Sequence, residues 1–375
     1  MRVAHICEKW VAGGTESLVL DLCGAMRSRG TESAIFFLYG EDGLRNMNGS
    51  SSAVPIGMKQ TLRLDPLGLL RMRNALRQWR PDCLHCHSYY PALAALILRC
   101  TGLYIPILYS VHSDTRRGLQ RSDFLIHWVT QSCDRVVAVS HRTAAAVETF
   151  TGGVVRPQVI LNGVDLKRLE LGRDFHPQSK RQALGINEDE LVLITVAALN
   201  RHKDHRTLFH AFAEVLCSYG DARMLVVGDG RDRAELQELV SRLGIRKRVM
   251  FLGCRSDVHE LLALADIFVL STHTEGFPIS VIEACCVGIP TVATEVGGLA
   301  DFRHLGLGVL LTECENVDAL RDALLSLLDP QRREHLGRRL REQARLLFDI
   351  GRTADHYRSV YRDLLAGNRS CREAA

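Results

Sequence analysis

Residues 266–290, DIFVLSTHTEGFPISVIEACCVGIP, predict a strand, a loop and a helix in direct succession. The apolar run Asp266–Leu270 is typical of a short buried strand, and the helix predicted over Ser280–Val287 is ended by the Gly-Ile-Pro run that follows it. Glu275 lies on the loop and Glu283 about one turn into the helix, beside backbone N–H groups that have no partner within the helix. Carboxylates bind sugar or ribose hydroxyls and a helix N-terminus binds phosphate, so the stretch predicts a site for a nucleotide sugar.

The same alternation of β-rich apolar runs and helical patterns extends along all 375 residues. It is the signature of parallel sheets with crossover helices. The expected fold class is therefore α/β, with two doubly wound Rossmann-like domains that face each other across a cleft. The predicted strands form two sets of six: Val3–Cys7, Ser33–Leu38, Cys83–Cys86, Ile107–Val111, Val136–Val139 and Val159–Leu161, then Leu191–Ala197, Met224–Val227, Val249–Leu252, Ile267–Leu270, Thr291–Ala293 and Val309–Leu311.

The predicted domain boundaries follow from a turn and a polar stretch. Asn162-Gly163 predicts a turn after the sixth strand, and Lys167–Asn187 has the polarity of a connection. Residues 1–165 are expected to form the N-terminal domain and residues 166–345 a second domain that contains the nucleotide-sugar site. Residues 346–375 are expected to form a helix that packs back on the N-terminal domain, followed by a tail over Gly367–Ala375.

Composition excludes several classes of protein. Hydrophobic residues make up 46% of the chain and charged residues 24%, which are ordinary globular values. No apolar run reaches the roughly 18–20 residues of a membrane span, and the twelve cysteines are scattered through apolar segments as in a reducing compartment. A cytoplasmic protein is therefore expected. The net charge of +4, without basic residues interleaved with aromatics, gives no indication of nucleic-acid binding.

The stretch Leu67–Arg80 is predicted to form an amphipathic, basic helix. One interpretation is a surface helix with solvated arginines. The alternative is contact with an anionic membrane surface, which would place the protein peripherally on the inner face of the cytoplasmic membrane.

Three loops of the first half follow predicted strands, and ligands of open parallel sheets bind at such loops. Gly13-Gly14 lets backbone N–H groups approach a phosphate or a sugar, although a plain tight turn explains it about as well. Cys83-Leu84-His85-Cys86-His87 has the spacing of a haem attachment run, but its cysteines alternate with apolar residues as strand positions do. His87 remains as a candidate residue of the cleft, and His112 as a candidate beside a reacting sugar.

In the second half, Arg201 and Lys203 place positive charge on the loop after a strand, where a pyrophosphate would bind. The alternative is a solvated basic loop. Gly228-Asp229-Gly230 and Val296-Gly297-Gly298 add glycine loops at two further strand ends. Neither His-Glu-x-x-His nor Asp-x-Asp occurs, so no metal or other cofactor is expected to be required.

Taken together, these loops resemble those of family 4 glycosyltransferases, which are retaining enzymes with the GT-B fold. The strongest match runs from Ala265 to Gly298, and Asn162-Gly163-Val164-Asp165 supports it. The resemblance implies an enzyme of the hexosyltransferase type from surface polysaccharide or lipopolysaccharide biosynthesis. Its donor would be a UDP- or GDP-linked sugar and its acceptor a glycan, expected to be lipid-linked. Residues 1–165, with His87, would then lie on the acceptor side.

The resemblance also implies roles for individual residues. Glu283 would hold the ribose hydroxyls and Glu275 the donor sugar, while Lys203, with Arg201 nearby, would bind the diphosphate. His112 matches a histidine near the transferred sugar, so His112, Glu275 and Lys203 are the expected catalytic residues. Donor-binding groups are also expected at the remaining matched positions, which are Gly13, Gly14, Gly228, Gly276, Phe277 and Pro278.

Two departures keep other functions open. The family carries an arginine five residues before the lysine, where this chain has Ala198, and Asp301 stands where a glutamate commonly follows the glycine pair. A nucleotide-sugar epimerase of the same fold would release an altered nucleotide sugar without an acceptor. A non-catalytic nucleotide-sugar-binding protein would bind without turnover. A nicotinamide-dependent oxidoreductase would need Gly-x-Gly-x-x-Gly, which neither half contains.

Overall fold

The computed structural model describes residues 1–9, 13–38, 54–56, 64–113, 123–172 and 175–373. The chain divides into two compact units. The first contains Met1–Gly163 together with Ile350–Ala375, and the second contains Val164–Asp349. Each unit is built on one parallel sheet, so the prediction of two doubly wound α/β domains is confirmed.

The first unit has a seven-stranded sheet in the order β3-β2-β1-β4-β5-β6-β7. Its strands are β1 (Arg2–Cys7), β2 (Glu32–Phe37), β3 (Val54–Ile56), β4 (Cys83–His87), β5 (Ile107–Val111), β6 (Arg135–Ala138) and β7 (Gln158–Val159). Its helices are α1 (Gly14–Arg27), α2 (Pro66–Trp79), α3 (Tyr89–Cys100), α4 (Asp123–Ser132), α5 (His141–Phe150) and, from the end of the chain, α14 (Ile350–Glu373).

The second unit has a six-stranded sheet in the order β10-β9-β8-β11-β12-β13. Its strands are β8 (Leu191–Val196), β9 (Ala222–Val227), β10 (Val249–Gly253), β11 (Ile267–Leu270), β12 (Thr291–Thr294) and β13 (Leu310–Thr312). Its helices are α6 (Pro177–Ala183), α7 (His205–Ser218), α8 (Arg233–Arg242), α9 (Val258–Ala263), α10 (Ile279–Val287), α11 (Asp301–His304), α12 (Val317–Leu325) and α13 (Pro330–Leu347).

Three details differ from the predictions. Strand β3 was missed because it is short, contains Pro55 and lies at the edge of the sheet, where a proline removes no internal ladder bond. The polar stretch predicted as a connection contains α6 and a 3₁₀ turn over Leu166–Leu169. Helix α14 continues to Glu373, through most of the residues expected to form a tail.

The two faces of the first sheet differ in chemistry. Ile6 and Cys86 belong to a fully apolar core with α2 and α3. On the opposite face, His5, His85 and His87 are buried, and tyrosines of α14 contact His85 and Ser110. This face places an unusual number of polar rings inside a parallel sheet, where buried side chains are ordinarily apolar.

No helix in the described parts of the chain combines the length and the apolar character that crossing a bilayer requires.

Helix α10 is held in place by a glycine contact with α13. A Cβ atom at Gly337 would lie 2.2 Å from the carbonyl oxygen of Gly288, the residue that ends α10 with a φ of +95°. The two helices therefore approach each other with no side chain between their backbones. Because Glu283 is on α10, this contact fixes the position of its backbone.

We expect Gly337→Ala to lower the free energy of unfolding by about 1–3 kcal/mol, because the added methyl group must push the two helices apart. Gly220→Ala is the matched control, since nothing lies within 4 Å of a Cβ atom there. Urea unfolding followed by circular dichroism measures both. Equal stability of the two variants would show that the helices can separate without cost.

Candidate functional site

In the second unit, Glu275 lies on the loop between β11 and α10 and forms an ion pair with Lys203. The Nζ atom of Lys203 donates a hydrogen bond to a carboxylate oxygen of Glu275. The side chain of Glu275 is only 11% exposed. A carboxylate with so little access to water needs a charged partner, and Lys203 provides it.

The backbone of Glu275 is fixed by the turn after β12. The N–H of Gly298 donates to the carbonyl oxygen of Glu275 at 3.0 Å. Gly297 has a φ of +49°, and a Cβ atom there would lie 1.9 Å from that same oxygen. Only glycine fits this position, because both the left-handed backbone and the close approach exclude a side chain. The glycine pair quoted from the sequence thus has a direct structural role.

Glu283 lies in the second turn of α10, and its side chain is 12% exposed. The Nη2 atom of Arg168 donates to its Oε1 atom at 2.8 Å. Arg168 belongs to the 3₁₀ turn that Asp165 caps by accepting from the N–H of Lys167 at 3.0 Å. Sequence reasoning missed Arg168, although it is three residues beyond the Asn162-Gly163-Val164-Asp165 motif.

Helix α10 begins after Pro278, and no side chain caps its first N–H groups. The residue before, Phe277, is buried and anchors the loop. Its ring stacks on Phe302 with 4.9 Å between centroids and meets the edge of Phe348 at 5.5 Å. The backbone from Gly276 to Pro278 is therefore held on an aromatic cluster, as a loop that binds a ligand through its backbone requires.

Gly228 and Gly230 pack the loop after β9 against the loop after β8. Cβ atoms at these glycines would lie 2.0 Å from the carbonyl oxygen of Ala197 and 2.3 Å from that of Leu199. Arg201 and Ala198, on the β8 loop, are both exposed. The described contacts thus give the two glycines a role in loop packing, and contact of Gly228 with a donor stays a prediction.

In the first unit, α1 begins at Gly14, with Gly13 as its N-cap and no capping side chain. The three residues before the glycine pair, Trp10, Val11 and Ala12, lie outside the described residues.

His112 directly follows β5 and is half-buried. Burial lowers the pKa of His112 to about 4, so the ring is neutral near pH 7. Its Nε2 atom lies 3.1 Å from the Nδ1 atom of His87.

The prediction for His87 needs correction. It was expected on the acceptor side, but it is only 2% exposed and its ring nitrogens face His5 and His112. The physical reason is that His87 is still within β4, on the sheet face that α14 covers. The strand was predicted to end at Cys86, one residue too early, and the position where a strand ends decides whether a side chain meets solvent.

His85 shares this buried face. Its two ring nitrogens lie 2.7 Å from the hydroxyl of Tyr361 and 2.7 Å from the hydroxyl of Ser110. Burial lowers the pKa of His5 to about 3 and holds the pKa values of His85 and His87 well below the ordinary value. Four neutral imidazoles therefore lie next to one another on β1, β4 and the end of β5.

Comparisons with known proteins place the chain in a family. Residues 12–168 match the family described as Glycosyltransferase Family 4, and residues 177–346 match Glycosyl transferases group 1. The N-acetyl-alpha-D-glucosaminyl L-malate synthase of Bacillus anthracis is 30% identical over 310 residues, which cover 80% of this chain and 79% of that protein.

Two further relatives extend the comparison. The Escherichia coli UDP-Gal:alpha-D-GlcNAc-diphosphoundecaprenol alpha-1,3-galactosyltransferase is 22% identical, with 80% of each chain covered. The structure of Anabaena HepE in complex with UDP-glucose superposes with a TM-score of 0.84 over 97% of this chain and all of that one, at 20% identity. At that identity the likeness shows the fold alone. The family matches and the Bacillus anthracis relative together show that the chain belongs to the family 4 glycosyltransferases.

Proposed function

We propose that this glycosyltransferase moves a sugar from a nucleotide diphosphate sugar to a glycan acceptor with retention of configuration. The observation that carries the proposal is the pair of shielded carboxylates in the second unit, each with its own cation. Lys203 pairs with Glu275, and Arg168 pairs with Glu283. The HepE structure contains UDP-glucose, which supports a nucleotide-sugar donor for a chain of the same fold.

Glu283 is suited to bind the ribose hydroxyls. An ionised carboxylate is an acceptor with about four lone-pair sites, and Arg168 occupies one oxygen of Glu283. A carboxylate can accept hydrogen bonds from two neighbouring hydroxyl groups, as the ribose of a nucleotide presents them.

Glu275 and Lys203 are suited to the reacting end of the donor. As the bond between sugar and β-phosphate breaks, negative charge grows on the phosphate and positive charge on the sugar ring. The ammonium of Lys203 stabilises the first, and the carboxylate of Glu275 holds the hydroxyls of the second. With Ala198 at the position of the family's arginine, Lys203 and Arg201 are the basic residues of this loop available for the diphosphate.

The acceptor is proposed to be lipid-linked, as the name of the Escherichia coli relative states for that enzyme. Helix α2 supports contact with an anionic membrane surface. Leu67 is 62% exposed and Leu70 51%, and the exposed Arg71 and Arg77 lie on the same side of the helix. Arg73 points elsewhere, since its guanidinium donates to the carbonyl oxygen of Thr101 at 2.9 Å.

We expect Glu283→Gln and Lys203→Ala each to lower the transfer rate about 100-fold or more, as the loss of a single stabilising group in a preorganised site does. The measurement is sugar transfer from a panel of UDP- and GDP-linked sugars, with product analysis by mass spectrometry. Glu238→Gln and Lys247→Ala, on exposed positions of the same unit, are the matched controls.

Wild-type rates in both site variants would contradict the assignment. Release of an altered nucleotide sugar without an acceptor would identify an epimerase instead. Binding of a donor without any turnover would identify a non-catalytic binding protein, the outcome that Ala198 leaves open.

For the membrane contact, we expect the wild type to sediment with vesicles that contain phosphatidylglycerol. Arg71→Gln/Arg77→Gln should weaken this partitioning about thirtyfold, because each arginine near an anionic surface contributes about 1 kcal/mol. Arg332→Gln/Arg339→Gln removes the same charge from exposed positions of α13 and should bind like the wild type. Equal binding of both double variants would exclude α2 as the contact surface.

A further inference from the structure

Three neighbouring strands line up a row of histidines in the first unit. In the parallel register, His5 on β1 is opposite His85 on β4, and His87 is opposite Ser110 on β5. The Nδ1 atom of His5 lies 3.0 Å from the Nε2 atom of His87, whose Nδ1 atom lies 3.1 Å from the Nε2 atom of His112. The three rings thus form one continuous hydrogen-bonded chain that ends at His112. We call it the histidine chain.

We propose that the histidine chain fixes His112 in the tautomer that carries its proton on Nδ1, so that His112 presents a hydrogen-bond donor to the substrate. His87 and His5 are then positioning residues. The proposal rests on the proposed function in one respect: the transferred sugar must contact His112, the role that the family resemblance implies for this residue.

The number of hydrogen-bond directions in such a chain is small. A neutral imidazole has one N–H donor and one acceptor nitrogen, so three neutral rings in series can point all their hydrogen bonds outward or all inward. Outward means from His5 through His87 to His112, and it leaves the proton of His112 on Nδ1. Inward puts that proton on Nε2 and makes Nδ1 an acceptor. The lowered pKa values of the three rings keep them neutral.

The inner end of the histidine chain, at His5, determines the direction of its hydrogen bonds. The Nε2 atom of His5 is buried and has no hydrogen-bond partner in the described structure. In the inward arrangement this nitrogen would be a buried N–H without an acceptor, and in the outward arrangement it is a lone pair without a donor. Orphaned buried N–H groups are rarer in proteins than under-satisfied acceptors, so the outward arrangement is favoured.

His85 and α14 hold the rings of the histidine chain in place. Tyr361 and Ser110 occupy both ring nitrogens of His85, and the hydroxyl of Tyr357 lies 3.0 Å from that of Ser110. The ring of His85 packs against that of His87 with 4.0 Å between centroids. Because His85 cannot turn without breaking these bonds, it restricts the ring of His87, and the restriction passes on to His112.

One ring nitrogen from each of His5, His85 and His87 lies within 4.8 Å of the other two, a spacing that would suit a metal ion. Both ring nitrogens of His85 and of His87 already have hydrogen-bond partners. An ion would therefore have to displace hydrogen bonds of the chain. The hydrogen-bonded arrangement explains the observed distances without such exchange.

Nitrogen-15 NMR of the imidazole rings tests the tautomer without substrate. In the wild type at pH 7, we expect a protonated Nδ1 and an unprotonated Nε2 for His112. His87→Leu should abolish this preference and give a mixture of tautomers. The reverse tautomer in the wild type, or an unchanged spectrum of His112 in His87→Leu, would overturn the proposal. So would stoichiometric binding of Zn²⁺ by the wild type that is lost in His5→Leu.

Kinetics separate positioning from mere stability. We expect His87→Leu to lower kcat about 10- to 100-fold with the KM for the donor unchanged, as loss of an outer hydrogen-bond partner does for metal-bound histidines. His87→Asn should recover at least tenfold of this, because its amide N–H can donate to Nε2 of His112. Cys86→Ala is the matched control, since it removes packing from the adjacent residue on the opposite sheet face.

A kcat of His87→Leu no lower than that of Cys86→Ala, or equal rates for the Leu and Asn variants, would overturn the positioning role. The two proposals fail separately. If the wild type transfers no sugar from any donor, the proposed function fails, whereas the tautomer of His112 is decided by the NMR measurement alone.

Discussion

The ion pair between Lys203 and Glu275 is the interaction on which the rest of the second unit depends. A carboxylate that is almost shielded from water is costly unless a cation and hydrogen bonds accompany it. The surrounding backbone is arranged for this pair. Gly297 and Gly298 hold the peptide of Glu275, and Phe277 anchors the loop that leads into α10. The same loop leads into α10, whose second turn contains Glu283, and Arg168 pairs with this carboxylate.

Much of this was predictable from local sequence. The strand before Glu275 and the helix after it follow from a buried apolar run and a Gly-Ile-Pro stop, and both exist within one residue of the predicted bounds. Glycines 297 and 298 were visible as a loop of small residues. Their role was not, because it depends on the distance to a carbonyl oxygen more than twenty residues earlier in the chain.

The two errors of the sequence predictions, one residue missed and one misplaced, have the same physical cause. Arg168 and His87 act through partners 115 and 82 positions away, and no local pattern encodes such pairings. For His87, the apolar alternation of β4 indicated a strand that ends at Cys86, one residue before its actual end. Register with β1 and β5 then decided that the ring is buried among other histidines. The tyrosines of α14, far along the chain, complete that environment.

We propose that the shielded carboxylates and their cationic partners serve retaining transfer from a nucleotide sugar. Proton NMR of the glycoside formed from an α-linked nucleotide sugar tests this proposal most directly, because the coupling at the anomeric position reports the configuration. We expect an α-linked product and release of the nucleoside diphosphate. A β-linked product, or no transfer from any nucleotide sugar, would contradict it.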